Sequence, residues 1–426
     1  MTQPILLSTP LSVSVSSTTT TPSSSTFTPP YPLPAPGTKI AIPTAGRNVA
    51  NDVKPPPHSN FTWQYALFQS YGGGSFSVDY SPGGAYVLAG MGGHGASPCF
   101  GGAIFDFTTG RWSYLPNANG FNEARIEEVD YQSETNGAPY LELRAVARGE
   151  MPSPSHHYTL QVSPPKSVVG GPKGAIIVTL GAAKTQTGAD SPQAHKFDLA
   201  TGLWSRAATN LITAVSTRTP YTNSSAAYDP ATKRIYVTLH FPTDDQLVCL
   251  DLTDGQWKSA GRYSLPNVNA VARSIFVDDQ RRMLLYLLDN NQLWGLDLNN
   301  VRLGPVRLAT AGTVPNTSRR WAEYPVADGG DGSFYTFSGA GPAYEGSVVP
   351  LATDQALLKL TPPSSGNPVT GTWTFTTVPI RGGITAQWVS DPSAGAYHES
   401  RFFYVPAISC FAWIPNGSGA VELIKP

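Results

Sequence analysis

The chain has 426 residues and a mass of 45.3 kDa, and its 28 basic and 29 acidic side chains leave a formal net charge of -1. This balance argues against nucleic-acid or membrane-surface binding driven by bulk charge. Only 13% of the residues are charged, whereas 41 Gly and 39 Pro supply turn residues and 11% of the chain is aromatic. Many short strands joined by tight turns are typical of this composition, so we predict an all-β fold.

Cysteine content and hydropathy argue against several other classes of protein. Cys99, Cys249 and Cys410 are scattered without a C-x-x-C spacing, which speaks against a disulfide framework and a cysteine-based zinc site. We expect buried thiols in a protein that folds in a reducing compartment. No apolar run in the sequence approaches the roughly 18 to 20 residues that cross a bilayer. The first basic residue is Lys39, so the N-terminus does not match a secretory signal.

Residues 1–60 are predicted to form an extended Ser/Thr/Pro-rich N-terminal arm. The stretch SVSVSSTTTTPSSSTFTPPYPLPAPGTK carries no charge before its last residue. Such a segment buries too little apolar surface to offset its ordering entropy, so it is not expected to fold alone. We expect other protein subunits of an assembly to hold it. The alternative is a flexible linker with no partner.

Residues 61–426 contain a repeated unit. The phrases FDFTTGRW (105–112), FDLATGLW (197–204) and LDLTDGQW (250–257) each follow an apolar run, in an order that predicts strand, turn, strand, loop, strand, turn and strand. Three further copies follow to the C-terminus. A polar residue in the third strand marks each copy: Asp106, Asp198, Asp251, Asp297, Lys359 and Glu422. The first interval is long enough to carry an insertion around 117–153.

Repeats of about 40 to 50 residues with four strands each are typical of β-propeller blades, so the copies predict six four-stranded blades. A small twisted sheet cannot bury both faces alone, and closing a ring lets each sheet shield its neighbours. Tryptophans at the start of the outer strands are placed to cover the seams between blades. They are Trp112, Trp204, Trp257 and Trp373.

The stretch GGSFSVDYSPGGAYVLAGMGGHGASPCFGGAIFDFTTGRW resembles a kelch-type blade of the kind found in the central domain of galactose oxidase. Its apolar strand, glycine pair and later Trp carry the resemblance, which covers residues 62–426 and is most specific in the first three blades. The resemblance implies a ring closed by strands from opposite chain ends. Residues 43–66 or the C-terminal VELIKP are the candidates for this closure.

Galactose oxidase has a copper radical site, so the resemblance also raises the question of ligands. Tyr397 and His398 resemble its Tyr–His copper pair, but no partner Tyr linked to a Cys can be mapped. A second candidate set is His94, His157 and His240, which would converge on a metal across the central channel. The competing interpretation is that these are ordinary loop residues, with the glycines of GMGGHG around His94 permitting close backbone approach. We expect neither metal nor cofactor.

The sequence leaves three hypotheses for function. No G-x-S-x-G, H-E-x-x-H or P-loop motif occurs, which favours a non-enzymatic protein. The first hypothesis is a structural and attachment platform in a larger assembly, by fold-level analogy a phage virion or tail component such as a hub, nozzle or fibre-associated protein, tethered by residues 1–60. The second is a recognition propeller that binds a surface glycan, a protein or a receptor through loops at 117–153 and 338–356. The third is a secreted galactose-oxidase-like copper enzyme.

These hypotheses differ in location. The platform would be made in the cytoplasm and would reside in a virion or assembled particle. The alternatives place the protein outside the cell.

Overall fold

A computed structural model describes seventeen parts of the chain: residues 27–43, 73–89, 102–115, 125–132, 139–146, 160–179, 194–210, 212, 225–240, 245–263, 273–288, 292–313, 326–337, 356–364, 366–384, 401–414 and 420–426. Their backbone is almost entirely strand and turn, apart from a short α-helix at Lys166–Val169 and two 3₁₀ turns at Val301–Leu303 and Pro406–Ile408. No helix in this part of the chain is long and apolar enough to span a membrane.

The described strands form six blades and one separate hairpin, which confirms the predicted six-bladed β-propeller. The strands are numbered in chain order. β1 (Thr38–Ala41) belongs to the sixth blade. The first blade contains β2 (Ser75–Ser77), β3 (Ala85–Leu88), β4 (Gly102–Asp106) and β5 (Arg111–Leu115). The hairpin, β6 (Arg125–Gln132) and β7 (Pro139–Val146), lies within the predicted insertion.

The next three blades are four-stranded. The second contains β8 (Gln161–Val162), β9 (Ala175–Val178), β10 (His195–Asp198) and β11 (Trp204–Arg206). The third contains β12 (Ser225–Asp229), β13 (Arg234–His240), β14 (Asp245–Asp251) and β15 (Gln256–Tyr263). The fourth contains β16 (Arg273–Asp278), β17 (Met283–Leu288), β18 (Gln292–Asp297) and β19 (Val306–Arg307).

The last two blades depart from a simple meander. The fifth contains β21 (Ala327–Asp328), β22 (Phe334–Phe337), β23 (Leu357–Thr361) and β24 (Thr372–Val378), and β20 (Ala309–Gly312) adds to β24 in parallel as a fifth strand. The sixth contains β25 (Phe402–Val405), β26 (Cys410–Trp413) and β27 (Glu422–Lys425), and β1 is its fourth strand. All six marker residues lie in the third strand of their blade, as predicted.

The turn before the outer strand of the first and third blades follows from local chemistry. In FDFTTGRW the Asp106 Oδ1 accepts the Thr108 N–H at 2.8 Å, and Gly110 has a φ of 64°. Asp251 and Gly255 repeat this arrangement in the third blade, with a 3.0 Å bond from the Thr253 N–H. An Asp that binds the backbone two residues on, followed by a residue with positive φ, produces a tight reversal. The repeated phrase is therefore a turn motif.

Apolar side chains pack in six clusters, and each cluster joins two neighbouring blades. Trp204 packs between the first and second blades, Trp257 between the second and third, and Trp373 between the fourth and fifth. Trp112 lies between the sixth and first blades, where it is 3% exposed. Each strand alternates its side chains between two seams, so a blade is stabilised chiefly by its neighbours.

The ring closes between the two ends of the chain. β1 pairs antiparallel with β27, from Thr38 opposite Lys425 to Ala41 opposite Glu422. The expected closure by opposite ends is confirmed, and the C-terminal VELIKP takes part in it. The N-terminal strand lies just before the predicted 43–66 range. Tyr31 also packs in the seam between the sixth and first blades, and its hydroxyl donates to the Phe107 carbonyl at 2.7 Å. Residues 27–42 of the predicted arm therefore include a structural part of the ring.

Candidate ligand-binding site at the channel mouth

A cavity of about 580 Å³ opens where the first strands of the fifth, sixth and first blades meet. First strands of neighbouring blades lie against one another, as β21 does with β25, so they surround the axis of the ring. The residues that line the cavity include the C-terminal ends of these first strands and the turns that follow them. The cavity therefore lies at one mouth of the central channel. We call it the channel-mouth groove. Its lining residues are Val78, Val326, Ala327, Asp328, Gly330, Phe402, Phe403, Tyr404 and Pro406.

The aromatic floor of the groove is held rigidly by the seams. Phe403 stacks on Tyr86 with ring centroids 5.0 Å apart and on Phe76 at 5.1 Å. Phe402 points to the other seam of the sixth blade, where it stacks on Phe411 at 5.1 Å. Both Phe rings are nearly buried, at 3% and 9% exposed for Phe402 and Phe403. Because these rings are used in packing between blades, the groove keeps its shape without a ligand.

Two residues give the groove its accessible contacts. Tyr404 is half-buried, and its ring lies 5.2 Å from that of Phe411. Val78, at the end of the first blade's inner strand, is 53% exposed although it is apolar. An exposed apolar residue beside a half-buried tyrosine offers a surface that a partner side chain can cover.

Asp328 is the acidic group of the groove. Its Oδ1 accepts the Gly330 N–H at 2.8 Å, and the residue is solvent-exposed. Partial desolvation raises the pKa of the carboxyl, and repulsion from Asp279, Asp278 and Asp331 raises it further. Among the described residues, no Lys or Arg forms an ion pair with Asp328. The groove therefore presents an uncompensated carboxylate, which favours a cationic group.

An equivalent carboxylate in the third blade has the opposite environment. Asp229 ends the inner strand β12 as Asp328 ends β21. Asp229 is fully buried, and it accepts hydrogen bonds from the Arg282 guanidinium of the next blade, one of them at 2.8 Å. Burial alone would raise the pKa of Asp229, but hydrogen bonds from Arg282 and Thr232 outweigh burial and lower it. The carboxylate at this position of the repeat is therefore neutralised in the third blade, whereas in the fifth it has no cation among the described residues.

The turn before the second strand of the following blade supplies the cation to Asp229, and the residue at this position differs in the blade that follows Asp328. The residue just before the second strand has a left-handed φ in five blades: Gly84, Gly174, Lys233, Arg282 and Ser409. This position approaches the carboxylate of the preceding blade, since a Cβ at Gly174 would lie 3.5 Å from the Asp79 Cβ. In the fourth blade the position holds Arg282, whereas in the sixth it holds Ser409. Serine carries no charge, so this position cannot neutralise a carboxylate as Arg282 neutralises Asp229.

Most of the predicted metal-ligand candidates lie outside the described residues, so their convergence stays a prediction. His240 ends β13, where it pairs with Asp245, and the description extends to its backbone only. His94, His157, Tyr397 and His398 lie outside the described residues. Within the described ranges, no group of three His, Cys, Asp or Glu side chains is placed to hold a metal. The four predicted seam tryptophans lie in the apolar clusters between blades: Trp112, Trp204, Trp257 and Trp373.

Sequence reasoning missed the residues of the groove. Asp328 and Tyr404 belong to the fifth and sixth copies, where the repeat is loosest. A usable signal was present, because the acid at the end of the inner strand recurs as Asp229, Asp278 and Asp328 while the basic residue before the next second strand does not. Comparing copies position by position would have singled out Asp278 and Asp328, and of these two Asp278 has a cation from Arg281 of its own blade.

Comparisons with known proteins show no family for this chain. No family model matches the chain, and no curated protein matches it. An auxiliary nutrient binding protein from Bacteroides ovatus ATCC 8483 is 12% identical, with a TM-score of 0.40 over 84% of this chain and 70% of that one. A putative TolB from Agrobacterium tumefaciens is 10% identical, with a TM-score of 0.34 over 74% and 80%. A chain of a mitotic checkpoint complex is 9% identical, with a TM-score of 0.38 over 92% and 94%.

The sheets and seams described above identify the architecture without reference to these likenesses. Six sheets joined by six apolar clusters, with the last sheet completed by the N-terminal strand, form a closed ring. The membership in the kelch or galactose-oxidase family that the first blade suggested stays a prediction. The chain is a six-bladed β-propeller.

Proposed function

We propose that the protein is a non-enzymatic binding platform whose channel-mouth groove takes an extended segment of a partner protein carrying a Lys or Arg side chain. The single observation that carries this proposal is Asp328, an acid without a described cation partner in a preformed apolar groove. An aliphatic stem fits against Val78 and Tyr404 while its charged head reaches the carboxylate. Tyr404 adds an aromatic face for the cation.

The groove favours a peptide over a glycan. Sugar recognition by stacking needs a broad open aromatic surface, and the rings of Phe402 and Phe403 are covered by packing. Among the described lining residues, the half-buried Tyr404 is the one accessible aromatic ring, and beside the Asp328 carboxylate it suits a cation better than a sugar. The finer proposal, that the protein is a phage virion or tail component, rests on the uncharged composition of the N-terminal arm. The proposed location in an assembled particle rests on the same feature. Electron microscopy of the native particle tests that assignment separately, and a monomer that associates with no particle would contradict it.

A peptide array tests the groove directly. The probes are short synthetic peptides with a central Lys or Arg, each beside a twin with Gln at that position, and a glycan array is read in parallel. We expect the wild-type protein to prefer the cationic peptides by at least about tenfold, the size of one charge-assisted contact. Asp328→Asn should abolish the preference and Tyr404→Ala should weaken binding to both twins.

Asp254→Asn is the matched control. Asp254 is an exposed carboxylate of the third blade, paired with Lys258 at 2.6 Å, and its loss should leave the peptide preference unchanged. Equal binding of the Gln twins, or a glycan signal that Asp328→Asn does not alter, would overturn the proposal.

A further inference from the structure

We infer that the outer rim between the fourth and fifth blades is a second docking surface, which takes an acidic, extended segment of a partner protein as an added strand. The surface consists of residues 301–313, and we call it the rim segment. It lies at the outer edge of the ring, whereas the channel-mouth groove is lined by inner strands, so the inference does not depend on the proposed function of the groove.

The first observation is an uncovered sheet edge that passes from one blade to the next. Val306 and Arg307 pair with β18 of the fourth blade, the Leu308 N–H bonds the Leu293 carbonyl at 2.9 Å, and β20 then pairs in parallel with β24 of the fifth. β19 and β20 are the outermost strands of their sheets among the described residues. An open edge of this kind is a template for another strand, and a charge on the edge disfavours strands with like charges while it favours strands with opposite charges.

The second observation is the exposure of apolar side chains along the same segment. Leu303 is 74% exposed and Val306 is 37% exposed, so two of the five exposed large apolar residues in the described ranges lie here. The turn after Leu303 lies close to Tyr263, since a Cβ at Gly304 would lie 3.7 Å from the Tyr263 Cδ1. A lone exposed leucine needs no explanation, but a cluster beside an open strand edge is typical of a contact surface.

The third observation selects the chemistry of the partner. Arg302 and Arg307 are exposed, neither forms an ion pair with a described residue, and residues 301–313 contain no Asp or Glu. The segment is therefore locally cationic in a chain whose net charge is -1. An added strand with carboxylates would place them beside these guanidinium groups, which hold carboxylates with good geometry.

A charge-swap binding experiment tests the inference. The probes are a fluorescent peptide of alternating Glu and Val, a twin with Lys for Glu, and a third with the Glu sequence but alternate N-methylated amides, all measured by anisotropy on the full chain. We expect the Glu peptide to bind at least tenfold more tightly than the Lys twin. The N-methylated peptide should lose binding, because it lacks the amide donors that pair with a strand edge.

The double variant Arg302→Glu/Arg307→Glu should reverse the preference so that the Lys twin binds better, which a variant that merely unfolds cannot do. Arg111→Glu is the matched control, since Arg111 is an exposed Arg at the outer strand of the first blade, three blades away. Equal binding of the two twins, unchanged binding of the N-methylated peptide, or the same reversal in Arg111→Glu would overturn the inference. So would a dimer of the wild-type protein in sedimentation that the double variant abolishes, because a second copy would then occupy the edge.

Discussion

Two carboxylates at the same blade position show how one repeat serves both stability and binding. Asp229 in the third blade and Asp328 in the fifth each end the innermost strand, and the turn of the following blade carries Arg282 in the first case and Ser409 in the second. Asp229 is fully buried against Arg282, and its pKa is lowered by hydrogen bonds that outweigh burial. Asp328 has no described cation partner, and desolvation with neighbouring acids raises its pKa. The first side chain joins two blades, whereas the second is available to a ligand.

The comparison shows how a repeated scaffold can gain a binding group. A carboxylate becomes available to a ligand in the blade where the repeat lacks the basic side chain that neutralises the equivalent carboxylate elsewhere. A raised carboxylate pKa in the folded state means that ionising this group lowers the free energy of unfolding. That cost is characteristic of groups kept for function rather than stability. Substitutions that exchange the environments of the two carboxylates therefore test the comparison.

The largest expected effect comes from breaking the paired site. Arg282→Met leaves Asp229 buried without its cation, so we expect a loss of about 3 to 5 kcal/mol in the free energy of unfolding, measured by urea denaturation at neutral pH. The wild-type contribution should also decline in acid, because a carboxylate with a lowered folded pKa loses its stabilising effect as the pH falls through that pKa. The double variant Asp229→Asn/Arg282→Met should recover much of the loss. A loss below about 1 kcal/mol would show that the pair is not structural.

A smaller effect is expected from transplanting the missing cation. Ser409 and Arg282 share the left-handed conformation, with φ of 50° and 58°, just before the second strand of their blades. Ser409→Arg should place a guanidinium near Asp328, lower the pKa of that carboxyl in an NMR titration, and stabilise the ring by up to about 1 kcal/mol. It should also abolish the cationic-peptide preference.

Ser409→Gln is the uncharged control for this transplant, and it should leave the pKa of Asp328 raised. If both variants lose peptide binding while the Asp328 titration stays the same, steric blocking rather than charge would account for the loss, and the equivalence of the two turns would be wrong.

The smallest effect is expected from removing the unpaired charge. Since the folded pKa of Asp328 is raised, its ionised form costs stability at pH values above that pKa, and the cost disappears once the pH falls below the unfolded value. Asp328→Asn should therefore stabilise the protein slightly at neutral pH, by less than about 1 kcal/mol, and the gain should vanish in acid. Thermal unfolding across a pH series measures both. A destabilised variant at neutral pH would mean that Asp328 is structural after all.

Much of the fold was predictable because its signals are local. The turn chemistry of Asp106 and Gly110 recurs within a few residues, so FDFTTGRW and its copies located the third and fourth strands. The polar markers from Asp106 to Glu422 gave the number of blades for the same reason. The closing strand was harder to place, since nothing in TKIA sets it apart from neighbouring segments before it pairs with β27. The parallel addition of β20 to the fifth blade had no periodic signal.

The groove could not be derived from any one stretch of sequence. Val78, Asp328 and Tyr404 come from three blades, and the last two meet the first only because the ring closes between the chain ends. Predicted candidates such as His94 and His398 were chosen by residue type, which carries no information about convergence. The rim segment likewise joins residues of the fourth blade to an edge of the fifth.

The sequence by itself determined that this protein is built from six small sheets, because alternation of apolar residues and Asp–Gly turns act over a few residues and repeat along the chain. Only the tertiary structure decided which carboxylate is neutralised and which is left open. That outcome depends on the side chain that the following blade presents across a seam, as Arg282 does for Asp229 and Ser409 does not for Asp328. Electrostatic partnership is set by distance in the folded ring, and distance between blades is fixed only when the ring is closed.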